Sequence, residues 1–336
     1  MSPWRRRAER LAAALPRSRL HPAAAAWAER RPAREGWAVA FSGGADSLAL
    51  LLLLWALWPA RRRRLRALHF DHRLRGRASR ADAAFCARVC RGLGVPLTAG
   101  AWARPDAAAG EAGARAARFD FFRREMRRRG LRALWLGHQQ DDIAESMLMR
   151  LARGSGAAGL AAPRPLQAGP DGARIRPLLG LKKAELAAAL RAAGAPWRED
   201  ETNAGDAFLR NRIRRRVLPA WRRASAGRDA LGGAALAREL LEEDDDALEA
   251  WAAAAARFGA RGELPLARVR GLPRAVLRRI LRRWLDRHGR SPHLSRPGFE
   301  LLLAALQRGR ESCQSLGPGG FAVIRAGCLR FSRGNR

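Results

Sequence analysis

Between residues 36 and 225, hydrophobic positions follow two alternating periods. Short apolar runs at 38–41, 65–71, 95–99 and 133–137 read as buried or edge strands. The stretches 48–58, 79–93, 113–129 and 141–153 carry apolar side chains at helical spacing. Strands alternating with helices imply an α/β fold: a doubly wound, mostly parallel sheet with helices on both faces and ligands at the carboxyl ends of the strands. Residues 1–35 read as a basic, Ala-rich helical extension broken by Pro16, Pro22 and Pro32. A Gly-, Ala- and Pro-rich piece at 154–170 interrupts the alternation and is expected to be a mobile active-site loop. A further helix is expected at 182–193.

The pattern changes after residue 225. Residues 226–263 read as an Ala-rich linker helix whose acidic run, Glu242 to Asp246, is expected to be a solvated face. From 264 to 336, two basic helices (274–288 and 297–309) and a terminal hairpin (321–324 with 328–331) make a second, smaller α+β domain. Two domains also suit the length, because single cores stop growing near roughly 250–300 residues and this chain has 336.

Charge narrows the class of partner. The chain has 65 Lys and Arg against 31 Asp and Glu, a formal net charge of +34, which suits a polyanion such as nucleic acid. All but two of those cations, Lys182 and Lys183, are arginine, and tyrosine is absent, as in a GC-rich coding sequence. Such drift explains the choice of cation better than it explains the excess. Cys86, Cys90, Cys313 and Cys328 are too few and scattered for a disulfide scaffold, which points to a reducing, cytoplasmic setting. No secretory signal is visible, and the apolar run 48–58 is shorter than the roughly 20 residues a bilayer requires, so no membrane association is expected.

Ser42-Gly43-Gly44-Ala45-Asp46-Ser47 stands between the first strand and an apolar helix. Glycines that can take positive φ, followed by the N–H groups and positive dipole end of a helix, make an anion site. Ser42 and Ser47 add hydroxyls, and Asp46 can hold a divalent cation or orient a donor. The Lys-Ser/Thr ending of a Walker loop is missing. His138-Gln139-Gln140-Asp141-Asp142-Ile143-Ala144-Glu145 opens a second helix at the same sheet edge. If that helix includes His138, then His138, Asp142 and Glu145 share a face; otherwise His138 lies above the cap. Its carboxylates suit magnesium, or simply complement the helix dipole. Asp71 closes the second strand, where a nucleotide's base and ribose would lie. Arg115 and Arg118 stand at helical spacing, to grip phosphate or to face solvent. Over 208–219, Phe208, Ile213 and Val217 form an apolar stripe, and Arg210, Arg212, Arg214 and Arg216 occupy the other faces, available to an RNA backbone or to water.

Ser-Gly-Gly-x-Asp-Ser after a strand resembles the pyrophosphate-binding PP-loop of the N-type ATP pyrophosphatases. Further motifs follow in order: DHRLR at 71–75, ExxxRxxRFxFF at 111–122, GHQQDDIAES at 137–146, RGSG at 153–156, RPLL at 176–179, DETN at 200–203 and FLRNRIR at 208–214. Together they resemble the tRNA(Ile)-lysidine synthetase family, densely over about 37–221 and more loosely at Leu272-Pro273, Leu294-Ser295 and Pro318-Gly319-Gly320. Ser146 and Thr202 stand where Thr and Ser are commoner, each keeping a hydroxyl.

That resemblance implies an ATP-dependent ligase joining free lysine to C2 of the wobble cytidine of tRNA(Ile) with a CAU anticodon, through an adenylated cytidine. It implies ATP on Ser42, Gly43, Gly44, Ala45, Asp46, Ser47 and Asp71, and Mg2+ on Asp46 and Asp141. Lysine would meet Asp142 and Glu145, and tRNA would meet Arg115, Arg118, Arg210, Asn211, Arg212 and Arg214. Catalysis would rest on Asp46, Asp141, Asp142 and Glu145, whose individual roles the sequence does not partition. Two rivals remain: a PP-loop tRNA thiolase, and a non-catalytic basic RNA-binding protein with a degenerate nucleotide site. The sequence leaves oligomeric state open, a homodimer included.

Overall fold

The computed structural model describes residues 2–73, 77–103, 110–199, 208–290 and 294–333. Leu74 and Arg75 of the 71–75 motif, the segment 200–203 with Asp206, and the side chain of Glu111 lie outside the described residues. The chain divides into two compact units, Met1–Leu240 and Leu241–Arg336.

The first unit begins with helices α1 (Pro3–Ala14) and α2 (Pro22–Arg30). Then come β1 (Trp37–Ala40), α3 (Ala45–Leu57), β2 (Leu65–Asp71), α4 (Arg77–Leu93), β3 (Leu97–Ala101), α5 (Gly110–Arg128), β4 (Ala133–Trp135) and α6 (Gln140–Leu151). They are followed by α7 (Ala157–Leu160), β5 (Leu166–Gln167), β6 (Ala173–Ile175), α8 (Lys183–Ala192), α9 (Leu209–Arg212), a π-helical turn (Ile213–Val217) and α10 (Leu218–Ala224). The helix α11 (Ala230–Ala255) contains the boundary between the units.

The sheet order is β3-β2-β1-β4-β6-β5, and only β5 runs antiparallel to its neighbour. The chain leaves β1 for β2 on one side and returns to β4 on the other, so the switch point lies between β1 and β4. Ligands of doubly wound folds bind at that crevice. The α3 helix is apolar all round because it is enclosed: every residue from Ser47 to Trp55 is buried.

Three expectations change here. Residues 1–35 are not an appendage, since Ala8, Leu11, Leu15, Leu20, Ala24 and Ala28 belong to the main core beside α3. β3 starts at Leu97 rather than 95, because the Val95 N–H donates to Cys90 O and closes the end of α4. The 154–170 piece contains α7 and β5, and is tied down by Arg150 donating to Gly159 O and Arg176 donating to Arg164 O at 2.7 Å.

In the second unit, β7 (Leu264–Pro265), α12 (Arg274–Arg287), α13 (Arg296–Arg308), β8 (Ser312–Ser315), β9 (Gly320–Arg325) and β10 (Cys328–Arg333) form a helix pair and an antiparallel sheet ordered β7-β10-β9-β8. α12 is amphipathic, burying Val276, Leu277, Ile280, Leu281, Trp284 and Leu285. The acidic run of α11 is not simply solvated. Asp245 is buried and accepts from Arg279 Nη2 at 2.6 Å, and Glu249, one turn on, accepts from Arg283 Nη2 at 2.7 Å. Arg279 and Arg283 of α12 are therefore held by carboxylates of the same unit.

Candidate active site

At the end of β1 the chain turns sharply. Gly43 has φ +90°, and a Cβ there would lie 3.2 Å from both Cys86 Sγ and Phe85 Cδ1, so the position needs glycine on two counts. Gly44, by contrast, has φ −72° and is the N-cap of α3; of the two glycines only Gly43 takes positive φ. A closed set of bonds fixes the loop. The Ser47 hydroxyl donates to Gly44 O at 3.0 Å and lies 3.0 Å from Ser42 Oγ, and the Ser42 N–H donates to Ser47 Oγ at 3.2 Å. Ser42 and Ser47 thus shape the cradle from within. Ala45 and Asp46 open α3, whose first N–H groups face the crevice side of the sheet.

Two residues that the sequence did not single out hold this loop in place. Arg198 donates its backbone N–H to Gly43 O at 3.0 Å and its Nε to the buried Asp82 at 2.8 Å, strapping the 197–199 segment across the turn. Gly137, just past β4, packs on the loop itself: a Cβ there would sit 2.9 Å from Asp46 O and 3.1 Å from Ser47 N. Backbone cannot yield to such a clash, so glycine is what lets the two motifs meet. In sequence it is only a glycine ending a strand, although its position directly before His138 was a usable signal.

α6 starts at Gln140, not His138, so His138 precedes the cap and does not share a helical face with Asp142 and Glu145. Gln139 caps the helix through Asp141 N–H at 2.6 Å, and Asp142 Oδ2 accepts the Gln139 N–H at 3.0 Å, completing a capping box. His138 is pushed well below its ordinary value by burial, then by Arg176, Arg210, Arg115 and Arg118. Arg115 and Arg118 therefore reach the same corner, both lying over the Phe119 ring. Asp71 ends β2 and accepts the Arg73 N–H at 2.7 Å. Arg176 of the RPLL motif is buried, which lowers it to about 10, with Arg174, Arg115 and Arg150 adding to the shift.

The carboxylates of the corner differ sharply. Burial lifts Asp46 to about 7, followed by the Asp142 charge, against Lys183 and Arg214; its Oδ1 is buried without a hydrogen-bond partner. Asp141 Oδ2 accepts the Lys183 N–H at 2.9 Å. Glu145 is 0% exposed and saturated: Arg210 Nε donates to Oε2 at 2.7 Å, and Arg214 donates to Oε1 at 2.5 Å and Oε2 at 2.9 Å. Arg210 also reaches Asp142 Oδ1 at 2.6 Å. Arg210 and Arg214 thus turn inward, correcting the expectation that they lie on faces open to an RNA backbone. The apolar stripe changes too: Ile213 is buried, while Phe208 and Val217 are exposed. Asn211 is buried, and Arg212 and Arg216 are on the outer side.

Among the described residues, no group of three or more His, Cys, Asp or Glu side chains could hold a metal ion. The unpartnered Oδ1 of Asp46, with Asp141 in the same corner, instead offers the one or two carboxylates that magnesium takes alongside water and phosphate oxygens. No helix among the described residues is long and apolar enough to cross a membrane.

A family model for the ATP-binding PP-loop domain matches residues 19–221. A tRNA(Ile)-lysidine synthase of Gloeobacter violaceus is 38% identical over 286 residues, covering 82% of this chain and 83% of that one. One from Symbiobacterium thermophilum is 41% identical, covering 80% of this chain and 58% of that one. This chain spans only 40% to 63% of the length of four such relatives. Among solved structures, the U34-tRNA thiolase NcsA from Methanococcus maripaludis, with its [4Fe-4S] cluster, superposes with a TM-score of 0.51 at 17% identity, covering 70% of this chain and 78% of that one. That likeness concerns the fold alone.

Proposed function

The chain belongs to the tRNA(Ile)-lysidine synthase family of PP-loop proteins, and on that premise we propose that it ligates free lysine to C2 of the wobble cytidine of tRNA(Ile) with a CAU anticodon, in the cytoplasm. The observation that carries the reading is the contact of Gly137 with Asp46, which seats the phosphate cradle and the Asp141–Glu145 helix start in one corner.

The α3 N-terminus and the Ser42–Ser47 loop receive the ATP phosphates, and Asp71 faces the ribose. Asp46 and Asp141 would hold Mg2+, which when bound would offset charge on the phosphates. Adenylation of the cytidine O2 releases pyrophosphate and turns a poor leaving group into a good one. The lysine ε-amino nitrogen then bonds to C2 and gives up a proton to solvent, and the C2–O bond breaks with release of AMP. Attack needs the neutral amine. Lys183 beside the corner favours that form, since a nearby cation lowers the proton affinity of an amine. Asp142 and Glu145 are occupied by arginine, so their role is to hold Arg210 and Arg214 in place rather than to take the proton. Arg115, Arg118 and Arg212 meet the tRNA.

The thiolase alternative finds less support in the cysteines. Cys86 and Cys90 are buried, and burial raises both thiols, Cys90 to about 12, which disfavours the thiolate needed for sulfur transfer. The deciding experiment incubates the protein with ATP, magnesium, L-lysine and tRNA(Ile) bearing CAU, followed by nucleoside mass analysis. Lysidine with AMP and pyrophosphate in equal amounts is expected. A thiolated nucleoside, or unmodified cytidine at every lysine concentration, overturns the reading.

A further inference from the structure

One face of α4 supports Gly43 both directly and through Arg198. Phe85 and Cys86 stand beside Gly43, where a Cβ would lie 3.2 Å from each. Asp82, one turn earlier on that face, accepts from Arg198 Nε at 2.8 Å. Arg198 in turn lays its main chain along the loop: its N–H donates to Gly43 O at 3.0 Å, and its carbonyl oxygen lies 3.8 Å from the Cβ position of Gly44. The Asp82 side chain is 9% exposed, so the anchor of this strap sits in the body of the domain.

What the strap fixes is the peptide between Gly43 and Gly44. A trans peptide points its C=O and its N–H in opposite directions, so the bond that draws Gly43 O to Arg198 turns Gly44 N–H to the other side of the loop. There it approaches Ser42 Oγ at 3.4 Å, a long contact that an anion can replace. Reversing the peptide would turn Gly43 O toward that side instead, setting an acceptor against the anion. A Gly-Gly pair does not forbid the reversal. Gly43 is already at φ +90°, and Gly44, now at φ −72°, can take positive φ about as readily. The choice between the two orientations has to come from outside the pair.

Resting on the reading of this loop as the ATP cradle, we infer that Arg198, anchored by Asp82, is a positioning residue that locks the Gly43–Gly44 peptide with its N–H toward the β and γ phosphates. The Asp82–Arg198 ion pair holds the 197–199 main chain against Gly43 O, and the main-chain bond sets the peptide. Without the side-chain anchor the strap lifts, the peptide samples both orientations, and part of the protein presents a carbonyl where phosphate must bind. The lock acts on the nucleotide's phosphates, not on lysine or tRNA.

Calorimetric titration of the full chain with ATP and with AMP tests this in wild type, Arg198→Ala, Asp82→Asn and the double variant. In Arg198→Ala, ATP should bind about tenfold or more weaker, the size of one hydrogen bond to a charged group. AMP, which lacks the β and γ phosphates, should bind as before, so the ratio between the two collapses. The double variant should lose no more than Arg198→Ala alone, because the two side chains act as one unit. Arg198→Lys, which keeps a cation for Asp82, should recover part of the loss. In turnover, KM for ATP should rise while kcat and tRNA affinity hold. Thermal melting checks folding, and Asp82→Asn, which keeps the shape of the buried side chain, carries the test if Arg198→Ala melts early. Unchanged ATP affinity in the folded variants overturns the proposal. So do equal losses for ATP and AMP, which would make the pair a general brace of the domain. If wild type prefers ATP to AMP while either of those outcomes holds, only the lock is wrong. If wild type shows no such preference, the cradle reading falls and the lock with it.

Discussion

Arg210 Nε lies 2.7 Å from Glu145 Oε2 although 65 residues separate the two in the chain. The bond makes the arginine-rich segment after residue 208 part of the carboxylate corner. Removing one member of a buried ion pair leaves the other uncompensated, a loss of roughly 3–5 kcal/mol. Glu145→Ala should therefore lower the midpoint of urea unfolding and release Arg210 and Arg214 together. A Glu145→Ala protein as stable as wild type would show that the two arginines find other acceptors.

The same bonds divide the arginines toward RNA. Each phosphate contact contributes roughly 0.7–0.9 to the slope of log affinity against log salt. Arg212→Ala should flatten that slope by about one contact's worth. Arg210→Ala should change it little, because its guanidinium is already bound to Glu145 and Asp142. Filter binding of tRNA across a salt series reads both, and equal changes in the two variants would mean that Arg210 turns outward on the RNA.

The two loop glycines should fail in different ways. Gly43→Ala places a Cβ at φ +90° and 3.2 Å from Cys86 Sγ, so it should unfold at lower temperature, by roughly 1–2 kcal/mol. At Gly44 a Cβ meets nothing nearer than 3.6 Å. Gly44→Val should melt close to wild type yet lose ATP-dependent AMP formation, because the new side chain stands where phosphate would approach. Thermal melts and pyrophosphate exchange separate the two; normal exchange in Gly44→Val would place the phosphates elsewhere.

The Asp46 carboxyl, raised from 3.8 to about 7, links stability to pH. Between about pH 4 and pH 7 the native protein keeps a proton that the unfolded chain has released, so this group's contribution to stability falls as pH rises through that window. The total is on the order of a few kcal/mol. Asp46→Asn cannot lose that proton, so it should gain on wild type steadily from pH 4 to pH 7 and keep the gain above it. Urea midpoints at pH 4, 5.5, 7 and 8 measure the difference, and parallel curves would count against the buried carboxyl.

Within the second unit, Arg279 is 14% exposed at its side chain and faces Asp245 at 5%. Arg279→Ala should destabilise that unit by several kcal/mol, with a larger effect on melting than on tRNA affinity. The reverse ranking would give Arg279 an RNA-facing role.

The parts of the fold that follow a short period were legible in the chain. Alternating runs placed the strands β1, β2 and β4, and composition alone marked the glycine-rich turn after β1 as a candidate anion site. What escaped depends on how distant segments meet. The partners of Arg210, Arg214 and Arg279 lie 65, 69 and 34 residues away, and an arginine's local pattern is the same whether it faces water or a carboxylate. Helix boundaries shifted for a related reason: Gln139 became the cap because its side chain reaches Asp141 N–H, while Asp142 bonds back. The need for glycine at 137 appears only when Asp46 is brought against it.

The chain's two lysines adjoin in sequence: Lys182 is paired with Asp229, and the Lys183 N–H donates to Asp141 in the carboxylate corner. Amine-directed chemistry on this protein therefore has almost no background. An activated-ester dye or a reductive-methylation label finds, besides the chain's amino terminus, only this edge of the site, and its fluorescence or carbon-13 signal becomes a resident reporter of what enters the corner. An arginine-rich protein of ordinary lysine content would need every other lysine removed to give the same view.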